Sequence, residues 1–416
     1  MIRSKKFLNT ENVSLKMKNF KPLFIILVFL IFSCVNAPST NNEENALNKP
    51  LDAAKMQLSG LLKKAEITNR NPRTINTNGE IHWTNKKFDW TEGFFPGSCW
   101  YLYNYTLDKK WKNAAEKFQS QFESHKNLTT NHDLGFIFNT SYGNGYKLTK
   151  NEAFKNVMIT AADSLLTRFN PNVGCIKSWD VDKGWQAQRN WRFPVIVDNM
   201  MNLELLFKAS KITGNLKYEK AAIIHANNTL KNHFRTDNSS YHVVDYDPKT
   251  GEVRSKQTAQ GFADESSWAR GQAWGLYGYT VCYRYTKDVT YLSQAEKIAN
   301  YIINYKGTPE DRIPYWDYNA PNIPNEPRDV SAAAITVSAL IELNNYSQKS
   351  YDSAIEKMMN SLGSETYTAK LGENNNFILK HSVGSIPHNN EIDVPLNYAD
   401  YYYLEALLRY KSLKNN

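Results

Sequence analysis

"SAAAITVSALIEL", residues 331–343, is apolar on nearly every side of a helix. A helix lying on a surface keeps one polar face, so this one must be surrounded by protein. Two other stretches read the same way, "VIVDNMMNLELLF" (195–207) and "SSWARGQAWGLYGYTVCY" (266–283). Others are amphipathic and charged, such as "KWKNAAEKFQSQFES" (110–124) and "YDSAIEKMMNSL" (351–362). The two kinds alternate along a chain with about twelve helical segments. Buried helices inside a ring of amphipathic ones account for that alternation. The expected fold class is therefore all-α, an (α/α)6 barrel.

Two inserts break the helical pattern. "SSYHVVDYDPKTGEVRS" (239–255) places Asp-Pro-Lys-Thr-Gly between β-like runs and predicts a hairpin. "GTPEDRIPYWDYNAPNIPNEPRD" (307–329) carries five prolines and predicts a long loop over the barrel mouth.

The N-terminal region reads separately. "MKNFKPLFIILVFLIFSC" (17–34) joins lysines to a short apolar run, the pattern of a secretory signal. "IFSC" (31–34) resembles a bacterial lipobox, with Cys34 as the lipid acceptor. The expected organisation is a signal peptide with lipobox (1–34), a polar tether (35–50) and one barrel domain (51–416). Localisation at the cell envelope follows, with a lipid anchor as the only membrane contact. Removing residues 1–33 lowers the net charge from +9 to +4. That mild excess suits an acidic substrate, and no Lys/Arg run points to nucleic acid. Cys99, Cys175 and Cys282 are too scattered for a disulfide framework or a zinc site, which predicts buried thiols. The sequence has no G-x-G-x-x-G, Walker loop, H-E-x-x-H or G-x-S-x-G, which argues against nucleotide, zinc-protease and serine-esterase chemistry.

Candidate chemistry gathers at a few residues. Asp198 interrupts the apolar run at 193–209, read here as a helix that places it with Met201, Asn202 and Leu205. Burying a lone carboxylate is costly unless it is paired or protonated. Locally it serves either as a structural cap or as a reactive acid. Asp133 in "NHDLGFIFNTSYGNGYKLT" has the same two readings, with Asn131 as a rival cap. Arg270 and Trp274 lie four apart on one helix face. The guanidinium meets either a substrate carboxylate or an internal partner, Asp264 or Glu265. Trp90 and Trp179 stand beside helices, where rings either pack or form a cleft rim.

Seven blocks carry a resemblance: "DWTEGFFPGSCW", "HDLGFIFNTSYGNGYKLT", "FPVIVDNMMNLELL", "DESSWARGQAWGLYGY", "IPYWDYNAP", "RDVSAAA" and "EIDVPLNYADYYYLEALLRY". In this order they resemble the motifs of glycoside hydrolase family 88, the unsaturated glucuronyl hydrolases. The resemblance spans about residues 80–412. It implies an (α/α)6 barrel, an acidic oligosaccharide substrate and neither metal nor other cofactor. The implied reaction removes a 4,5-unsaturated uronic acid from the non-reducing end of lyase products. An acid protonates C4, water adds at C5, and the hemiketal opens, so the glycosidic bond is lost without attack at C1. This differs from the retaining and inverting schemes.

Carried over by motif, Asp198 is the general acid that also activates water, and Asp133 is its partner. Such an acid needs its pKa raised by roughly two units from ~3.9 to work near neutrality. Trp90, Trp179, His242, Gln260, Arg270 and Trp274 are implied around the sugar. Ser382 and Ser385 fall in a segment implied near the neighbouring sugar and are expected to read sulfation. Ala259 departs from the His found before the Gln in many members, which puts the preferred substrate in question. Two other readings remain: an unsaturated rhamnogalacturonyl hydrolase, and a non-catalytic carbohydrate-binding lipoprotein. The presence of both aspartates argues against the second.

Overall fold

The computed structural model describes residues 40–85 and 87–414. The signal peptide, the lipobox and Cys34 lie outside the described residues. The helices, in chain order, are α1 (Thr40–Thr68), α2 (Phe94–Thr106), α3 (Lys109–Ser120), α4 (Asn144–Thr149), α5 (Glu152–Leu166) and α6 (Leu203–Thr213). They continue as α7 (Lys217–Asn232), α8 (Ala269–Thr286), α9 (Val289–Asn304), α10 (Val330–Asn344), α11 (Asp352–Leu362) and α12 (Asn397–Lys414). A π-helix, Gly135–Gly143, runs directly into α4.

The even-numbered helices close a ring in which α2, the π-helix, α6, α8, α10 and α12 each touch the next, and α12 returns to α2. Each packs one odd-numbered helix against its outside. The sequence explains the division. In α10 every residue from Val330 to Leu343 is buried. In α3 only Trp111, Ala114, Ala115, Phe118 and Gln119 are buried, a single stripe at helical spacing. The expected (α/α)6 barrel is the fold observed.

The two ends of the barrel are built differently. Four of the turns from an inner to an outer helix use one device, Thr-x-Asp/Asn. At Thr106-Leu107-Asp108, the Asp108 amide donates to Thr106 Oγ1 (3.2 Å), and Asp108 Oδ1 accepts from the Lys110 amide (2.9 Å). Between them Leu107 is left-handed, with φ 56°. Thr149-Lys150-Asn151, Thr213-Gly214-Asn215 and Thr286-Lys287-Asp288 repeat it. Each turn ends one helix and caps the next within three residues.

The opposite end carries the long connections and all the strands of the described residues. These are β1 (Pro72–Ile75) with β2 (Ile81–Trp83), β3 (Phe169–Asn170) with β4 (Cys175–Ile176), the sheet β5 (Phe193–Ile196), β6 (Val243–Tyr246) and β7 (Val253–Gln257), and β8 (Ser382–Ser385) with β9 (Asn390–Val394). All pairings are antiparallel. The hairpin expected within 239–255 is β6–β7, turned by Asp247–Gly251. Asp247 Oδ1 accepts from the Lys249 amide there, and Gly251 is left-handed. The Pro-rich loop 307–329 locks the segment before α8. Buried Asp317 accepts from the Phe262 amide (2.9 Å) and from Ser266 Oγ (2.7 Å).

Two expectations are corrected. Residues 193–209 are not one helix. Pro194 and the β-branched run Val195-Ile196 pair with β6 from Phe193↔Tyr246 to Ile196↔Val243, and α6 begins only at Leu203. A 3₁₀ turn, Val197–Met201, links them, so Asp198 does not share a helix face with Met201, Asn202 and Leu205 as expected. Residues 40–50 of the expected tether are helical, as the start of α1. Asn48 there accepts a hydrogen bond from Lys411 of α12 (2.5 Å). The three cysteines are buried free thiols, as expected.

Candidate active site

Asp198 stands on the 3₁₀ turn at the long-loop end, where β5 hands over to α6. The turn is held from several sides. The Val197 amide donates to the His242 carbonyl (3.0 Å) and Asn199 Nδ2 to the Ile176 carbonyl (2.8 Å). Asp133 precedes the π-helix, its amide bonded to Asn131 Oδ1 (2.8 Å). The Phe136 amide donates to Asn202 Oδ1 (3.1 Å), which ties the π-helix to the turn that carries Asp198. Close approach is possible because residue 135 is glycine; a Cβ there would collide with Asn202 Cα. Gly278 of α8 seats Met200 on the other side in the same way.

Asp133 and Asp198 are 9% and 8% exposed, and Asp198 Oδ1 is buried with no hydrogen-bond partner among the described residues. Burial pushes the Asp133 carboxyl well above its usual range; the Asp198 charge adds to this and Arg168 opposes it. Burial raises Asp198 to about 7, against the opposing charge of Arg270. The pair therefore holds a proton near neutral pH.

A histidine faces each aspartate. His242 Nδ1 accepts from the amides of Ala259 (3.1 Å) and Gln260 (3.2 Å). That places the ring proton on Nε2, which lies 3.7 Å from Asp198 Oδ1. His132 Nε2 lies 3.4 Å from Asp133 Oδ1, and its Nδ1 sits 3.3 Å from both Asn199 Oδ1 and Asn202 Nδ2. Burial lowers His132 to about 3, with Arg168 adding; burial and then Arg270 hold His242 well below its usual value. Both rings stay neutral, so the mobile protons belong to the carboxyls.

The other expected residues divide into two groups. Half-buried Trp179 turns an edge to His132 and to His242 and stacks on Trp191 (5.7 Å, 23°), so it walls the pair. Half-buried Trp90 meets Phe136 (5.4 Å) and Tyr398 (5.0 Å). Gln260 Nε2 donates to the Gly384 carbonyl (3.2 Å), joining the 258–261 loop to β8. Ser382 is fully buried, its hydroxyl without a partner among the described residues, and Ser385 Oγ bonds His388 Nδ1 (2.7 Å).

Trp274, 1% exposed, packs edge-on to Phe136 and Tyr402 inside the barrel. Arg270 is also 1% exposed, and its partner is neither Asp264 nor Glu265. It pairs with Asp329 (2.9 Å) and donates to the Val383 and Gly384 carbonyls. In this structure the guanidinium clamps β8 to α10. Ala259 lies in an apolar cluster with Trp191, Ile196 and Val243.

His132, Asn199, Arg168 and Asp329 were missed. His132 is adjacent to Asp133 in sequence and was the one within reach. A cavity of about 530 Å³ at the opposite end of the barrel includes neither aspartate. Its charges compensate one another: Arg284 grips Glu342 through two nitrogens (2.5 and 2.6 Å) and Glu204 (2.7 Å), while Arg409 joins Glu342 to Glu405.

A helical double ring whose loop face holds two buried, proton-bearing carboxyls walled by tryptophan has the makings of a carbohydrate-cleaving enzyme. The sequence profile of Glycosyl Hydrolase Family 88 matches residues 63–412. The chain belongs to this family. It is 43% identical over 394 residues to an unsaturated glucuronyl hydrolase of Formosa agariphila, covering 94% of this chain and 97% of that one. It is 35% identical over 331 residues to an unsaturated chondroitin disaccharide hydrolase of Streptococcus agalactiae, covering 77% and 81%. Among solved structures, an unsaturated glucuronyl hydrolase specific for heparin superposes with a TM-score of 0.84 at 44% identity, over 90% of this chain and 99% of that one.

Proposed function

We propose that this glycoside hydrolase releases the 4,5-unsaturated uronic acid from the non-reducing end of lyase-generated acidic oligosaccharides, with Asp198 as the acid. The observation that carries the assignment is the Asp133–Asp198 pair. Asp198 has a carboxyl raised to about 7 and an oxygen with no partner among the described residues. The substrate's C4=C5 bond is part of a vinyl ether. The Asp198 carboxyl gives its proton to C4, and positive charge develops at C5 and the ring oxygen. The resulting carboxylate takes a proton from water as the water oxygen bonds to C5, which restores the acid. The hemiketal then opens and the neighbouring sugar leaves from C1. Asp133 stays protonated beside Asp198 and orients the sugar, so a single negative charge faces the cation.

Names of the relatives, glucuronyl and chondroitin disaccharide hydrolases, support a uronyl substrate of the glycosaminoglycan type. The lipobox-like "IFSC" supports export and attachment to the envelope through Cys34. The test follows the ultraviolet absorbance of the conjugated double bond in lyase-made disaccharides. Wild type removes it and D198N does not. Full activity in D198N would overturn the assignment of the acid.

A further inference from the structure

Three arginines place their charge on the groups of the site: Arg168 on Asp133, Arg270 on Asp198 and His242, and Arg189 on His242 and His388. Two are already neutralised. Arg168 pairs with Asp180 (3.0 Å), and its guanidinium also donates to the carbonyls of Thr129, Lys177 and Ser178. Arg270 pairs with Asp329 and donates to β8, its Nε without a partner among the described residues. Arg189 has no carboxylate partner among the described residues.

The setting of Arg189 is built rather than incidental. It ends the 3₁₀ turn Trp185–Arg189, and left-handed Asn190 (φ 56°) folds the chain back, so that the guanidinium lies over the Trp191 ring, 5.0 Å from its centroid. One nitrogen donates to the Thr258 carbonyl, next to the loop that holds His242. Trp191 stacks on Trp179, and Trp185 meets His388 (4.9 Å), which bonds Ser385. Arg189 therefore stands against the tryptophan wall, half-buried, and its other donors have no partner among the described residues. A stacked guanidinium keeps its fork oriented and binds oxyanions through two donors.

We propose that Arg189 is the anion-binding residue at the mouth of this site, pairing with a carboxylate or sulfate of the acidic oligosaccharide. This rests on the hydrolase reading above.

The test compares wild type with R189A and R189K on unsaturated glucuronyl disaccharides that differ only in a sulfate on the adjoining sugar. R189A should raise KM about 10- to 100-fold, the scale of a charge-assisted pair, with kcat within about 3-fold. R189K should recover part of the loss, and added salt should raise KM more in wild type than in R189A. A defect on both substrates assigns the uronate carboxylate, and one confined to the sulfated substrate assigns the sulfate. Binding is also read by tryptophan fluorescence, with D198N compared against D198N/R189A, so the result does not depend on turnover. If wild type cleaves neither substrate, the hydrolase reading fails while the binding comparison still judges Arg189. An R189A KM within 2-fold of wild type on both substrates, or equal binding in the two D198N proteins, overturns the proposal.

Discussion

Replacing Asp198 by Asn should slow turnover severely and stabilise the protein, and the second effect should depend on pH. The carboxyl titrates near 3.8 when exposed and at about 7 in the fold, with burial as the main cause. A group whose folded pKa is raised favours folding less as it ionises. Stability is complete below the unfolded value and is lost as pH climbs from 3.8 through 7. The full difference is about 4 kcal/mol, at 1.36 kcal/mol per unit. By pH 5 about 2 kcal/mol has already been lost, and by pH 8 nearly all of it. Asn cannot ionise and so escapes the loss. With an unfolding entropy of about 2.1 cal/mol/K per residue, each kcal/mol in a domain of this length moves Tm by about 1.3 °C. D198N should thus melt about 2 °C above wild type at pH 5 and about 5 °C above it at pH 8. Its kcat should fall about 100- to 10,000-fold, the usual contribution of a general acid. Wild-type activity should decline above about pH 7 as the acid ionises. Melting curves at the two pH values and the absorbance assay check all of this. An equal Tm gap at pH 5 and pH 8, or a D198N rate near wild type, would refute the reasoning.

Other perturbations separate site from scaffold. R270M strands Asp329 in a buried position, so it should cost about 3–5 kcal/mol in denaturant unfolding and loosen β8, raising KM. G135A forces the π-helix away from Asn202, and steady-state kinetics should show kcat falling at least about 10-fold, because Asp133 moves relative to Asp198. D288A removes a cap at the far end of the barrel, where it should cost about 1 kcal/mol in urea unfolding and leave kcat and KM unchanged.

The fold was legible because burial leaves a mark on composition. An inner helix such as α10 must be apolar all round, an outer one such as α3 only along a stripe, and their alternation along the chain gives the double ring. The β6–β7 hairpin was readable for an equally local reason, the Asp-Pro-Lys-Thr-Gly turn. The path around Asp198 was not readable in this way. "FPVIVDNMMNLELL" is as apolar as a buried helix, and periodicity cannot tell a buried strand from a buried helix segment. Pairing with β6, about fifty residues away in sequence, decided it for the first four residues.

The sequence by itself determined the barrel and the family and singled out the two aspartates as candidates, because local pattern and ordered motifs suffice for that. Tertiary structure decided what each charged residue faces. Arg270 reads in sequence as a cation facing either a substrate carboxylate or a nearby acid, Asp264 or Glu265, yet it meets Asp329 at the start of α10 and carbonyls of β8. Arg189, unremarkable in sequence, is set on Trp191 beside the loop of His242 with no acid to neutralise it. The partner of a charge comes from whichever distant segment packs against it. It is that packing, through burial and against the charge of Arg270, which raises Asp198 to about 7.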